Sequence, residues 1–478
     1  MQELPGNDPA WDHMFAFSEY LNATFPLIRQ SVALERVNTH GLVYTWHGKN
    51  QSLKPTLLLA HQDVVPVQQG TEDIWEHPPF SGDFDGTYIW GRGSIDSKSS
   101  LIASIEAVEE LLRVGFTPER TIILAFGFDE EISGYQGAKQ IALHLIDRYG
   151  EDGIAALIDE GPGMEQKSIT DSIYAVPGLA EKGYFDAEVV VHMKSGHSLL
   201  PPNDNSITVM ADLVRKIKET PFEFLVDRTS PVLDAVFCLA QHDEMFPGYG
   251  RGIVEKVDKN VTIIKDHLTM IAALAPSFMP LFQTTQSQAM IHGGVKVNLI
   301  PAKTSLRINH RIVHGNTISD VKNHLEEVVK AFIAEFNGNT DVEHDMLRFN
   351  GWDQREVLNS IGLRALPGST EPSPITPSSV DGTTPYRILQ GTTKALYRDK
   401  VAVIAPMLMP GSTDSRHYGN VTKHIFRFSP GHDIGDSTDN QIKSHSHGVN
   451  ERASMRGHVN GVKWYSLFIR NMDEADMD

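Results

Sequence analysis

"LLLAHQDVVPV", residues 57–67, carries the reading of this fold. Three leucines and an alanine run into a His-Gln-Asp triplet, and Pro66 closes the valine pair that follows. An apolar run of this length reads as a buried strand, stopped by the proline. Positions i and i+2 of a strand share a face, so His61 and Asp63 leave it on the same side. The pattern repeats downstream. "TIILAFGF" (121–128) runs into Asp129, Glu130 and Glu131, and "GIAALI" (153–158) runs into Asp159 and Glu160. Between these strands, "SKSSLIASIEAVEELLRVG" (97–115) places Leu101, Ile105, Val108, Leu111 and Leu112 on one helical face, with Gly115 as a stop. "GYQGAKQIALHLIDRYG" (134–150) predicts a second helix. Strands alternating with helices predict an α/β domain with a parallel sheet covered on both faces.

Near residue 183 the texture changes. "GYFDAEVVVHMKS" alternates as a half-exposed antiparallel strand does, and "SITVMADLVRKIKE" reads as a helix lying on it. "KVNLIPAKTSLRINHRIV" adds two strands and "TISDVKNHLEEVVKAFIAEF" a second helix, which together predict a smaller α+β domain. A Pro- and Ser-rich linker, "LPGSTEPSPITPSSVDGTTP", leads back to a helix and a strand of the first kind. The expected organisation is a catalytic domain over 1–182, an inserted domain over 183–350 and the rest of the first domain over 351–478. Inserted helices are expected at about 220–285.

The chain has 478 residues, with 42 Lys and Arg against 61 Asp and Glu, a net charge of −19. That balance argues against nucleic acid and anionic membrane as partners. Cys238 is the one cysteine, so no intrachain disulfide forms; a reducing compartment is the simplest reading, but a large core needs no disulfide in an oxidising one either. No apolar run approaches the length of a membrane span, and the N-terminus lacks the features of a signal peptide. Sequons at Asn22, Asn50, Asn260 and Asn420 are few enough to arise by chance.

In open α/β sheets, ligand sites lie beyond the carboxyl ends of the strands. Here those ends collect a histidine and several carboxylates, and "IWGRGSID" delivers Asp96 just before the first long helix. A lone strand-end histidine is usually just hydrogen-bonded, and a lone Glu-Glu pair is usually a solvated loop. Three strand ends with the same chemistry are not explained that way. So much negative charge, with few basic residues around it, calls for cations. His, Asp and Glu donors together suit Zn²⁺, with Co²⁺ or Mn²⁺ as substitutes.

The ordered motifs "HQDVVP", "GRGSIDSKSS", "FDEEISG", "LIDEG", "SGHS", "VNLIPA" and "SHSHGVNER" resemble the two-zinc aminoacylase and carboxypeptidase family of metallopeptidases. Within it, "GSTDSRHY" followed by "HGVNER" is most similar to the carboxypeptidase S branch of Gly-X carboxypeptidases. The resemblance implies a zinc-exopeptidase-like catalytic domain and a ferredoxin-like lid and dimerisation domain. It implies that His61 binds one zinc, with Asp63 behind its ring, and that Asp96 bridges the two ions. Glu131 and His447 would share the second zinc. Asp159 would complete the ligands of the zinc that His61 binds, with Glu160 as the adjacent alternative. Glu130 would be the general base, taking a proton from the water held between the metals. His197 would reach a dimer partner's site and stabilise the oxyanion. Asn298 and Arg311, with the backbone at Gly411 and Ser412, would hold the substrate carboxylate. Arg416 and His417 are further candidates, with an Asp414 ion pair as the alternative role. The family's cis peptide after the bridging aspartate is expected at Asp96–Ser97.

The function implied is a zinc metallocarboxypeptidase acting on short peptides, as a homodimer. An N-acyl-amino-acid amidohydrolase is the close alternative, since both cleave an amide next to a free carboxylate. A catalytically silent metal-dependent binding protein is the remote one. By resemblance the location is vacuolar, or cytoplasmic if the N-terminus is complete.

Overall fold

In the computed structural model, the described residues are 9–166, 172–225, 229–244, 246, 248, 251, 252, 254, 276–339, 346–401, 403–434 and 445–477. They divide into two units, one of residues 1–181, 231–259 and 374–478, the other of 182–230 and 260–373.

The first unit is built on an eight-stranded sheet. Its order is Ala33–Val37, Gly41–Trp46, Ile122–Gly127, Thr56–His61, Ala156–Asp159, Ile425–Arg427, Gly178–Glu181 and Met407–Met409. The four strands from Ile122–Gly127 to Ile425–Arg427 run parallel. Thr56–His61 and Ile122–Gly127 are buried along their whole length, as strands covered on both faces must be. Leu58, Leu124, Phe126 and Ile158 turn to the face covered by helices Ser99–Arg113 and Met455–Glu474. Leu57, Leu59, Ile123 and Leu157 turn to the face covered by helix Ala138–Tyr149.

The stripe expected on helix Ser99–Arg113 is the stripe it buries: Leu101, Ile105, Val108 and Leu111 are core, and Leu112 packs at its edge. Gly115 ends the helix at φ +74°. There Gly115 N–H donates to Leu112 O at 3.0 Å and Phe116 N–H to Leu111 O at 2.9 Å, satisfying two terminal carbonyls.

The second unit carries a five-stranded sheet, in the order Thr285–Gly293, Lys303–Ile312, Gly183–His192, Ser360–Ala365 and Arg348–Trp352. Helices Ser206–Glu219 and Ile318–Gly338 bury Val209, Leu213, Ile217, Leu325 and Val329 against Val189, Val191, Leu306 and Ile308. Both helices start at capping boxes, Asn205 with Thr208 and Thr317 with Asp320.

The structure moves two expected boundaries. The second unit runs to 373 rather than 350, because Ser360–Ala365 pairs antiparallel with Gly183–His192, Val189 opposite Leu363. The insertion expected at 220–285 is split. Helix Pro231–His242 belongs to the first unit and turn Pro276–Phe282 to the second, and most of 245–275 lies outside the described residues. Among the described residues, no helix is long and apolar enough to cross a membrane.

Candidate metal centre

His61 is the last residue of its strand, and the turn Glu130–Ile132 follows the neighbouring strand Ile122–Gly127. The first unit therefore presents both at the carboxyl edge of the parallel strands. His61 Nε2 lies 3.1 Å from Asp96 Oδ1 and 3.5 Å from Glu160 Oε1. The ring's Nδ1 rests against Asp63, 3.3 Å from its Oδ1 and 3.1 Å from its backbone carbonyl. Across the site, His447 Nε2 lies 3.1 Å from Asp96 Oδ2 and 3.2 Å from Glu131 Oε2. Asp96 thus turns one oxygen to each histidine, the geometry of a shared ligand.

Two overlapping donor sets result, His61 with Asp96 and Glu131, and His61 with Glu130 and Glu160. Glu131 Oε1 and Glu160 Oε2 are buried with no hydrogen-bond partner. Buried carboxylate oxygens left over in this way cost free energy unless a cation takes them up.

The electrostatics agree. Burial alone would lower the His61 pKa, but Glu160, Asp63 and Asp96 push it well above its ordinary value. Asp96 and Glu131 raise His447 to about 10. Burial works to raise Asp96, yet His447 and His61 hold its carboxyl far below the usual range. The carboxylates thus keep protons on both histidines, and divalent cations would take the place of those protons. On donor chemistry, leftover oxygens and charge, the site fits a pair of metal ions.

The backbone around these side chains is specifically held. Asp63 accepts from Glu130 N–H at 3.1 Å and Glu131 N–H at 3.0 Å, so it orients the His61 ring and the Glu130–Glu131 turn together. Asp129, the first acid of that triplet, is structural: its carboxylate accepts from Gln136 N–H and Gly137 N–H, both at 2.7 Å. Gly137 has to be glycine, since a Cβ there would stand 2.7 Å from Asp129 Oδ1. Gly93 has to be as well, with φ +82° and a Cβ position 2.3 Å from Val64 Cγ1. The Asp96–Ser97 peptide is cis, the isomer expected there.

Two assignments change. It is Glu160, the adjacent alternative, rather than Asp159 that reaches His61. The Asp159 carboxylate is taken up within the fold, accepting from Ser415 N–H at 2.8 Å and Glu160 N–H at 2.9 Å, while Glu160 reaches His61. Arg416 does not pair with Asp414. Its Nη2 donates to Glu130 Oε1 at 2.7 Å, and its Nε donates to Thr413 O. Asp414 is buried with Oδ1 unpartnered, and burial, with Glu130 next in effect, pushes its carboxyl well up. His417 is held by Ser133 O at 2.8 Å.

The remaining candidates divide between the units. Gly411 and Ser412 follow strand Met407–Met409 in the first unit and lead into the turn Asp414–His417. His197, Asn298 and Arg311 lie in the second. His197 sits exposed on a two-residue strand paired with Leu299–Ile300, and Asn298 O accepts from Ser198 N–H beside it. Arg311 packs its guanidinium 4.8 Å from the centre of the Tyr184 ring. Sequence reading missed Arg416 as the partner of Glu130. It also missed Ser446, whose hydroxyl donates to Asp96 Oδ2 at 2.7 Å and which directly precedes His447.

The profile of Peptidase family M20/M25/M40 matches residues 57–471. The chain belongs to that family. This M20 protein is 36% identical over 488 residues to carboxypeptidase S of Saccharomyces cerevisiae, across 98% of this chain and 81% of the yeast protein. It is 32% identical over 461 residues to the N-fatty-acyl-amino acid synthase/hydrolase PM20D1 of Mus musculus, across 96% and 82% of the two chains. Among solved structures, the M20 family metallo-carboxypeptidase Sso-CP2 from Sulfolobus solfataricus shares the fold. The TM-score is 0.59 at 17% identity, over 95% of this chain and 94% of that one. This M20 chain is a hydrolase of the metallopeptidase class, in the carboxypeptidase S branch.

Proposed function

We propose that the chain is a two-zinc carboxypeptidase, hydrolysing the amide next to the free carboxylate of short Gly-X peptides. The observation that carries this reading is the pairing of a shared-ligand carboxylate, Asp96, with a buried acid, Glu130, directly beside the metal-facing Glu131. His61, Asp96 and Glu160 would hold one ion, and Asp96, Glu131 and His447 the other. Bound there, the ions would supply Lewis acidity that polarises the scissile carbonyl and brings a water's pKa from ~15.7 to ~7. Glu130 takes the proton of the attacking water and passes it to the leaving nitrogen as the C–N bond breaks. Burial pushes its carboxyl up to about 7, against the pull of His61 and Arg416, which suits a group that must both accept and return a proton. Arg416 fixes one oxygen of Glu130, leaving the other for the proton.

His197 and the second unit's sheet edge support a homodimer in this reading. His197 Nδ1 accepts from Leu199 N–H at 3.0 Å, so the neutral ring carries its proton on Nε2, the donor an oxyanion needs. Strand Thr285–Gly293 is an edge, and Met290, Ile291, Val295, Val297 and Leu299 on and after it are exposed. Mixing subunits of His197→Ala and Glu130→Gln tests it. Each mixed dimer has one site with both residues intact, so activity should recover to about half per mixed dimer, by site counting for isologous pairing. No recovery after verified subunit exchange would place His197 outside the partner's site.

A second reading, hydrolysis of N-acyl amino acids, is favoured by the 32% identity to PM20D1. Both reactions use the same centre and differ in the acyl-side pocket. Zinc-loaded protein assayed on blocked Gly-X dipeptides and N-fatty-acyl amino acids should favour the dipeptides in kcat/KM by about tenfold or more, the scale a shaped pocket gives. The reverse preference would exchange the two readings.

A further inference from the structure

Asp96 and His447 lie far apart in sequence, yet both must meet the same ion. The structure joins their segments through Glu451, which is completely buried. Strand Tyr88–Trp90 pairs with Arg452–Ser454, and Gly91 N–H donates to Glu451 O at 2.9 Å, so the chain leading to Asp96 runs beside the chain leaving His447. The Glu451 carboxylate then divides its work. Oε2 accepts from Arg92 Nη1 at 2.6 Å. Oε1 accepts from the backbone N–H groups of Ile95 at 3.2 Å and Asp96 at 3.3 Å. Arg92 is itself seated 5.4 Å from the centre of the Trp75 ring.

We propose that Glu451 is a positioning residue for the metal pair. By holding the Ile95 and Asp96 amides from a segment that also carries His447, it sets the shared carboxylate against the second site's histidine. This rests on the two-metal reading above. A buried ion pair alone would not require this arrangement, because apolar residues of similar volume replace such pairs at little or no cost in stability. An apolar replacement cannot hold the two backbone amides. Partners of this kind behind a metal ligand typically account for ~10–100-fold in metal affinity.

The test separates the two roles. The double variant Arg92→Met with Glu451→Met removes both charges together, so no unpaired charge is left in the core. Thermal unfolding should stay within a few degrees of wild type, while Zn²⁺ titration in graded chelator buffers should show one of two sites weakened about 10–100-fold. If the double variant fails to fold, Glu451→Asp keeps the charge for Arg92 but shortens the reach to the amides. It should show the same weakened site at a near wild-type melting temperature. A folded variant of either kind that binds both ions with wild-type affinity would overturn the proposal. A wild-type protein that binds no Zn²⁺ in the same titration would instead overturn the two-metal reading beneath it.

Discussion

Chelation of the purified protein should abolish hydrolysis, and two equivalents of Zn²⁺ per chain should restore it. The expectation follows from charge and geometry rather than from family membership alone. Asp96, Glu130, Glu131 and Glu160 surround His61 and His447, and two of their oxygens are buried without a partner. Arg416 pairs with Glu130, while Glu131 and Glu160 face His447 and His61. A water near such carboxylates is no nucleophile at neutral pH. Bound ions would lower its pKa by Lewis acidity, so removing them should reduce turnover to background. Stability should move with occupancy. A ligand bound only by the folded chain adds ~2.7 kcal/mol at a hundredfold excess over its Kd, so added Zn²⁺ should raise the melting temperature measurably. Full activity in a preparation shown by elemental analysis to be metal-free would remove the assignment.

Much of this centre was legible because each strand announces its own end. "TLLLAH", "IILAFG" and "ALID" are apolar to the last turn and then switch to His, Asp and Glu, a change that burial of a parallel strand makes unmistakable. What the sequence could not resolve is rotation at the strand end. Asp159 and Glu160 are adjacent and chemically alike, and what claims Asp159 for the fold includes the N–H of Ser415, 256 residues away. The partner of Arg416 was hidden for a related reason. Its neighbour Asp414 is the obvious partner along the chain, while Glu130, 286 residues distant, is its partner in space. Glu451 stood in plain view inside "HGVNER", but a carboxylate four residues from a histidine gives no sign that it grips backbone amides at Ile95 and Asp96. The second unit was readable where alternation and caps coincide, at Asn205 and Thr317. Its end was not, because strand Ser360–Ala365 lies past the expected boundary at 350 and its place in the second unit shows in its pairing with Gly183–His192.

Glu130→Gln should leave the metal content unchanged and lower kcat by roughly 10²–10⁴-fold, the contribution of a positioned general base. The substitution preserves shape, and the contact from Arg416 can be kept by the amide oxygen. The backbone N–H groups of residues 130 and 131 remain tied to Asp63, so Glu131 keeps its place beside His447. Substrate binding should therefore change little, and the loss should fall on turnover. The pH profile offers a second reading of the same variant. In the wild type, burial raises the Glu130 carboxyl to about 7, and the base works only when ionised, so the rate climbs with pH along an acid limb. Bound cations would draw that limb to lower pH by favouring the carboxylate. An amide has no such titration, so the residual activity of Glu130→Gln should lose the limb. Metal content measured beside the rate decides between the two adjacent glutamates. A variant that loses one ion yet keeps its rate per remaining metal would make Glu130 the ligand and Glu131 the base.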